Sequence, residues 1–364
     1  MVILGAGVSG LSTALALLKR GHAVTLLDRG TAGGESSWAG GGILSPLLPW
    51  DYAEAVTSLA LRSMAAYADW VADIETLSGR DAEFWRCGML ALDVADPERA
   101  LAWCATHGMA AKPGSPQTVA LPSSVSDRNP VWLPEVAQAR NPRLVAALRG
   151  AVLQLGGTIH EHCPATGVLT QAGRVTAVQT PEDTFQADSV VLATGAWSGL
   201  GLAGLAATPH IRPIRGQMLL FKLEPGVLST ILYRSGLYLI PRRDGHVLAG
   251  STLEDAGFDK ATDAATLRRL HLDAAELLPA LGDVQPVHHW AGLRPGSPGN
   301  IPVIDRHPDF DNVFVNAGHF RYGVTMAPAS AELLADMMEG KAPALDPAPY
   351  RWQAAAERRW SDAP

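Results

Sequence analysis

Residues 2–28, VILGAGVSGLSTALALLKRGHAVTLLD, decide the fold of this 364-residue chain. Val2, Ile3 and Leu4 form a short apolar run that meets Gly5. Leu11, Leu15 and Leu18 then recur at helical spacing until Gly21 stops the helix. A second apolar run follows and ends in an acid, Asp28. Strand, glycine turn, helix and strand make a βαβ unit with G-A-G-V-S-G at its turn. In that pattern Gly5 allows the turn, Gly7 lets a pyrophosphate approach the helix N-terminus, and Gly10 lets the helix pack closely. Asp28 lies about 20 residues further on, where the acceptor for a ribose hydroxyl belongs. The reading is a Rossmann-like dinucleotide-binding domain of the α/β class. NAD and FAD share the ADP half, so the fingerprint alone leaves the choice of dinucleotide open.

The segment after Asp28 bears on that choice. A nicotinamide dehydrogenase usually runs on into further alternating strands and helices, whereas residues 34–46 here read GESSWAGGGILSP. Glycine loses more backbone entropy on folding than any other residue, so Gly40, Gly41 and Gly42 in a row are costly unless something comes close to that backbone. A wide flat ring such as an isoalloxazine meets the requirement, with Ser36 and Ser37 hydrogen-bonding the diphosphate or ribityl chain.

Further along, SVVLATGAW (189–197) and NVFVNAGH (312–319) are two more apolar strands that run into small-residue turns. Both are expected to rejoin the first sheet after long insertions. QMLLFKL (217–223) and GLYLIPRRDGHVLAGST (236–252) alternate or run apolar between turn signals such as Asp244-Gly245, as expected for an antiparallel sheet. The expected division is a discontinuous FAD-binding domain, residues 1–84, 134–208 and 295–364, interleaved with a substrate-binding domain, residues 85–133 and 209–294.

Composition bounds the function. The chain is 47% hydrophobic and 18% charged with a net charge of -7 and no basic block, which suits a large buried core and argues against nucleic acid as a partner. Cys87, Cys104 and Cys163 are odd in number and lack metal-ligand or redox spacing, so neither a disulfide framework nor a zinc site is expected. His160 and His162 read as alternating, solvent-facing positions of a strand with no third ligand nearby. No apolar run is long enough for a membrane span, and the expected location is cytoplasmic.

Four stretches together resemble the D-amino-acid oxidase family of flavoenzymes: residues 2–29, SSWAGGGILSP (36–46), VVLATGAWSG (190–199) and NVFVNAGHFRYGVTMAPASAELLADMM (312–338). Within that family, GGGILSPLLPW (40–50) and WAGLRPGSPGNIPVI (290–304) are most similar to glycine oxidases of the bacterial thiamine-biosynthesis type. The resemblance spans nearly the whole chain. It implies noncovalent FAD, since no cysteine lies in the C-terminal region where related sarcosine oxidases attach their flavin. It also implies O2 as electron acceptor, a homo-oligomer, commonly a tetramer, and a partner in thiazole synthesis.

The family motifs map the cofactor onto Gly5, Gly7, Val8, Ser9 and Gly10, onto Asp28 and Arg29, and onto Ser36, Ser37, Gly41, Gly42 and Ile43. Gly195 follows in the next strand turn. The C-terminal loop adds His319, Phe320, Arg321 and Tyr322, then Gly323, Val324 and Thr325 ahead of a helix expected over about 326–338. The positive end of that helix would face the flavin pyrimidine ring.

Oxidation of an α-amino acid by hydride transfer to flavin N5 needs a fixed carboxylate, a free amine and a dry ring face. An arginine suits the carboxylate, because its planar fork matches two oxygens and keeps its charge when desolvated. The resemblance places Arg294 in that role, Tyr238 as a second carboxylate ligand, and Arg321 with Ile43 at the substrate site. No Glu or His is positioned as a general base. The activity expected is oxidation of glycine, other small amines or D-amino acids, with imino acid and hydrogen peroxide as products. The alternatives are a D-amino-acid dehydrogenase serving a quinone or protein acceptor, and a flavin-binding subunit without turnover.

Overall fold

The computed structural model describes residues 1–116 and 129–360. Residues 117–128 and 361–364, which fall inside two of the expected units, lie outside the described residues.

At the centre is a six-stranded sheet. Strand β1 (Val2–Leu4) lies between β2 (Thr25–Leu27) and Val190–Leu192, and the full order is 303–306, 313–317, 190–192, 2–4, 25–27, 158–160. All neighbours run parallel except the pair 303–306 and 313–317. The two late apolar strands do rejoin the first sheet, as their sequences suggested. Alternation places each residue of β1 on a defined face. Ile3 joins the core shared with helix α1 (Val8–Lys19) and the long helices Asn141–Gln154 and Gly323–Met338. Val2 and Leu4 face the other way, onto a three-stranded sheet built from residues 167–171, 174–179 and 184–186.

The second large sheet has eight strands in the order 288–296, 212–222, 246–250, 237–241, 231–234, 89–92, 131–133, 112–113. It is antiparallel with one exception: Ile231–Arg234 runs parallel to Met89–Leu92. These two strands come from separate stretches of chain, so no hairpin turn constrains their relative direction. The edge strand His288–Gly296 crosses the boundary placed between residues 294 and 295.

The two sheets meet through the short helix α2 (Ser36–Ala39), which sits on that edge strand. The indole of Trp290 donates to the Ala39 carbonyl at 3.1 Å, and the Ser36 hydroxyl donates to the Leu293 carbonyl. A methyl on Gly292 would stand 2.5 Å from Ala39 Cβ, so the contact requires bare backbone.

The C-terminal helix begins at Gly323, three residues before the expected start, and carries Pro328 inside it. Proline cannot supply the amide that the Val324 carbonyl would otherwise accept. Helix α3 (Glu54–Ser78) repairs the fault: its Tyr67 hydroxyl donates to that carbonyl at 3.1 Å, and Ser63 Oγ accepts the next amide, Ala329, at 3.0 Å.

The histidine pair meets expectation in part, since His162 is exposed but the two do not share a strand. The strand ends at His160, whose ring packs edge-on against Phe185 at 4.9 Å, and His162 turns away with φ +53°.

Candidate active site

A cavity of about 580 Å³ opens between the two large sheets. The loop after β1 contributes Gly5 and Gly7, the start of α1 contributes Val8 and Ser9, and the end of β2 contributes Asp28 and Arg29. The glycine-rich segment brings Ser36, Ser37, Gly41, Gly42 and Ile43, the next strand turn brings Gly195, and the C-terminal loop brings His319 through Val324. Tyr238 and Arg294 enter from the eight-stranded sheet. Residues far apart in sequence therefore share one chamber.

Two of the cofactor residues expected from sequence stand behind its wall. A methyl on Gly10 would collide with the Gly5 carbonyl, so Gly10 serves the packing of α1. Thr325 is buried and donates its hydroxyl to the Ile43 carbonyl at 3.0 Å. Trp50, at the end of the GGGILSPLLPW stretch, packs in the core with Met89 and Val131.

The wall on the six-stranded sheet is largely backbone. Gly5 has φ +100° and no room for a Cβ against the Ala193 carbonyl. Ser37 Oγ accepts the Val8 amide at 2.8 Å, fixing the first turn of α1 and keeping the hydroxyl proton available. Ser36 is different, since its hydroxyl is committed to Leu293. Asp28 is oriented by two amides, Ala6 to Oδ2 at 2.7 Å and Gly30 to Oδ1 at 2.8 Å, and keeps lone pairs for a further donor. A Cβ on Gly195, at φ +57°, would meet only open space.

His319 adds an imidazole to this wall. It is buried, with Nδ1 3.4 Å from Ser9 Oγ and Nε2 unpartnered. Burial pushes its pKa down to about 4, so the ring is neutral at ordinary pH.

The run of three glycines has a second cause beyond any ligand. A side chain on Gly40 would meet Asn141, one on Gly41 would meet Ile240 Cδ1 at 2.6 Å and Tyr238 Cε2 at 3.4 Å, and Gly42 has φ +76° against the Ala139 carbonyl. The segment threads a narrow seam between protein elements. Arg242, which sequence reading overlooked, pins it: the guanidinium is buried and donates to the Gly41 carbonyl at 2.8 Å, the Ala139 carbonyl at 3.3 Å and the Gln138 side chain. Burial lowers its pKa to about 10, which leaves it charged.

On the opposite wall, Tyr238 is buried with its hydroxyl 3.9 Å from Met218 Sδ. Arg294 lines the cavity with Ser251 Oγ at 2.6 Å and the Thr252 carbonyl at 3.2 Å. Arg321 is exposed at the chamber's edge, and beside it the buried Tyr322 hydroxyl bonds to that of Tyr52 and accepts the Leu47 amide at 3.3 Å. Burial, aided by Tyr52, drives the Tyr322 pKa well above the usual phenol value, so it stays protonated. At the rim, the Arg29 guanidinium stacks on Trp197 at 3.5 Å, Phe258 stacks on the same indole, and Lys260 pairs with Glu35 at 3.0 Å.

Residues 1–337 match the family described as FAD dependent oxidoreductase. The chain belongs to that family. The FAD dependent oxidoreductases similar to it include the glycine oxidase of Pseudomonas aeruginosa, 45% identical over 354 residues that cover 96% of this chain and 97% of the relative. The bifunctional protein ThiO/ThiG of Trichormus variabilis is 32% identical over 93% of this chain, but that alignment spans only 52% of the longer relative. Among solved structures, the glycine oxidase of Geobacillus kaustophilus superimposes with a TM-score of 0.89 at 26% identity, covering 96% of this chain and 97% of the other. The fold and cofactor class expected from sequence are thereby established.

The chamber suits FAD on its own terms. It offers a glycine turn at a helix N-terminus, an oriented acidic acceptor, a bare position at Gly195 and an unpartnered buried imidazole nitrogen. None of the three cysteines lines it.

Proposed function

We propose that this chain oxidises glycine and other small amines or D-amino acids, with O2 as the electron acceptor. The observation that carries the reading is Arg294: it lines the same chamber as the dinucleotide turn, beside Tyr238, and makes no ion pair among the described residues. A half-buried guanidinium without an acidic partner is a site for a ligand carboxylate. Arg294 takes the substrate carboxylate through its fork, and the Tyr238 hydroxyl adds a second hydrogen bond. Ile43 and Met218 supply apolar surface around the α-carbon, and Arg321 guards the entrance.

Held noncovalently, FAD would supply the redox chemistry, a hydride acceptor at N5 for the α-hydrogen and a path for the electrons to O2 with hydrogen peroxide as product. We assign its contacts to the glycine turn with Val8 and Ser9, to Asp28, Arg29 and Ser37, to Gly41 through Ile43, to Gly195, and to the loop from His319 to Val324. The division into cofactor segments 1–84, 134–208 and 295–364 and substrate segments 85–133 and 209–294 is part of the same proposal.

No general base is needed. The acidic residues among the described lining, Asp28 and Glu35, are engaged with backbone amides and with Lys260 respectively, on the dinucleotide side. The substrate therefore binds with its amine neutral, and the imino acid formed hydrolyses to a 2-oxo acid and ammonia. We extend the reading to a supply of glycine imine for the thiamine thiazole. Its support is the resemblance to glycine oxidases of that type and the presence of a similar unit inside a longer bifunctional relative.

The test is an anaerobic titration of the purified yellow protein with glycine, followed by air. Bleaching of the flavin band, then its return with peroxide, supports the oxidase. Bleaching without return on air points to a dehydrogenase. No bleaching with glycine, sarcosine or D-amino acids overturns the substrate assignment.

A further inference from the structure

Two arginines at the edge of the eight-stranded sheet lie on its opposite faces and are treated in opposite ways. Residues 214 and 215 lie across from 294 and 293, so Arg215 and Arg294 are one register step apart. Arg215 is neutralised by Glu254 at 2.6 Å and Asp259 at 2.7 Å. Among the described residues, the Arg294 guanidinium hydrogen-bonds only to neutral groups, the Ser251 hydroxyl and the Thr252 carbonyl. Glu254 is turned from Arg294 by its own bonds to Arg215, Gln217 and the Thr252 hydroxyl.

Beneath the Arg294 guanidinium lies Gly216. A methyl there would stand 2.5 Å from Nη2 and 2.6 Å from Cζ, well inside contact distance, so the planar group rests directly on bare backbone. Gly216 has no positive φ that would call for glycine on conformational grounds.

We propose that Gly216 and Ser251 are positioning residues for Arg294: the glycine is the floor on which the fork lies, and the serine hydroxyl fixes its rotation. Neutral dipoles orient the guanidinium without cancelling its charge, which is kept for the substrate carboxylate. The inference rests on the carboxylate role given to Arg294 above. It adds that the geometry of that role is set by two residues on other strands and loops.

The experiment uses FAD-loaded protein and acetate as a carboxylate probe, read by perturbation of the flavin absorbance, alongside KM and kcat for glycine. Gly216→Ala lifts the fork from its floor, and Ser251→Ala frees its rotation. Each is expected to weaken acetate binding and raise KM by roughly tenfold or more, the scale of a lost hydrogen bond to a charged group. The rise in KM should exceed any fall in kcat, with FAD content unchanged, and Ser251→Thr, which keeps the hydroxyl, should restore most of the binding. If Arg294→Ala weakens acetate binding while Gly216→Ala and Ser251→Ala leave it unchanged, the positioning role is wrong. If Arg294→Ala leaves it unchanged as well, the carboxylate role fails first. Should Gly216→Ala not fold, the serine pair decides alone.

Discussion

On the six-stranded-sheet side, the chamber is walled largely by backbone at Gly5, Gly7 and Gly195, and at Gly195 a side chain would meet only open space. On the eight-stranded-sheet side it is walled by side chains, with Arg294, Tyr238 and Met218 each reaching in from a strand. A backbone wall suits a large ligand held at many points, since peptide groups keep their positions through the sheet and helix that carry them. A side-chain wall suits a small ligand recognised at few points. Substitutions on the first wall should therefore change how tightly FAD is held, and those on the second should change which substrate is turned over and at what concentration.

The sharpest test of that contrast is Arg294→Ala. It is expected to lower kcat/KM for glycine by roughly three orders of magnitude, about 4 kcal/mol, with FAD still bound. Arg294→Lys should recover little, because a point charge lacks the planar fork. Loss of FAD with the activity would break the separation between walls.

His319 is a buried side chain on the backbone wall, and its titration gives the next effect. Its pKa of about 4 in the folded chain lies below the unfolded value of about 6.5, so the unfolded state binds more protons between those pH values. Stability of the apoprotein should fall as pH drops from about 6.5 to about 4, by about 3 kcal/mol in total from this group. His319→Asn should flatten that part of the pH profile in denaturant melts.

Ser37→Ala removes the acceptor of the Val8 amide, equivalent to losing a helix cap of about 1 kcal/mol, and should weaken FAD binding in fluorescence titrations more than it raises KM. The smallest effect is expected from Gly41→Ala, at the seam between the walls. The added methyl presses the flexible end of Ile240 and the Tyr238 ring, so KM should rise a few-fold while FAD content holds. Loss of FAD from that variant would mean that the contact of Gly41 with the cofactor outweighs its contact with Tyr238.

What could be read from sequence was what is local. The fingerprint turn, Asp28 and the two returning strands each announce themselves within about ten residues, and all took their expected places in the sheet. The resemblance brought Arg294 and Tyr238 into one pocket, which periodicity could not have done. Long-range compensation left no such trace. Nothing near Pro328 reveals that Tyr67 and Ser63 complete its helix, and nothing near Gly41 reveals Arg242 behind it. The parallel pair 89–92 and 231–234 is equally silent, because strand direction across a gap of some 140 residues is fixed by the fold as a whole. The glycine run was read as room for a ligand, and it proved to be room for the protein as well.

The central sheet joins β1 to strands 190–192 and 313–317, and the wall of the chamber continues to Val324. A ribosome delivers these pieces in order, so a nascent chain that has released the fingerprint turn still lacks most of the sheet that supports it. Cofactor loading must then wait for synthesis to near completion. Chains halted before residue 324 would leave the cradle open and its apolar lining exposed, which makes flavin capture a checkpoint on finished molecules.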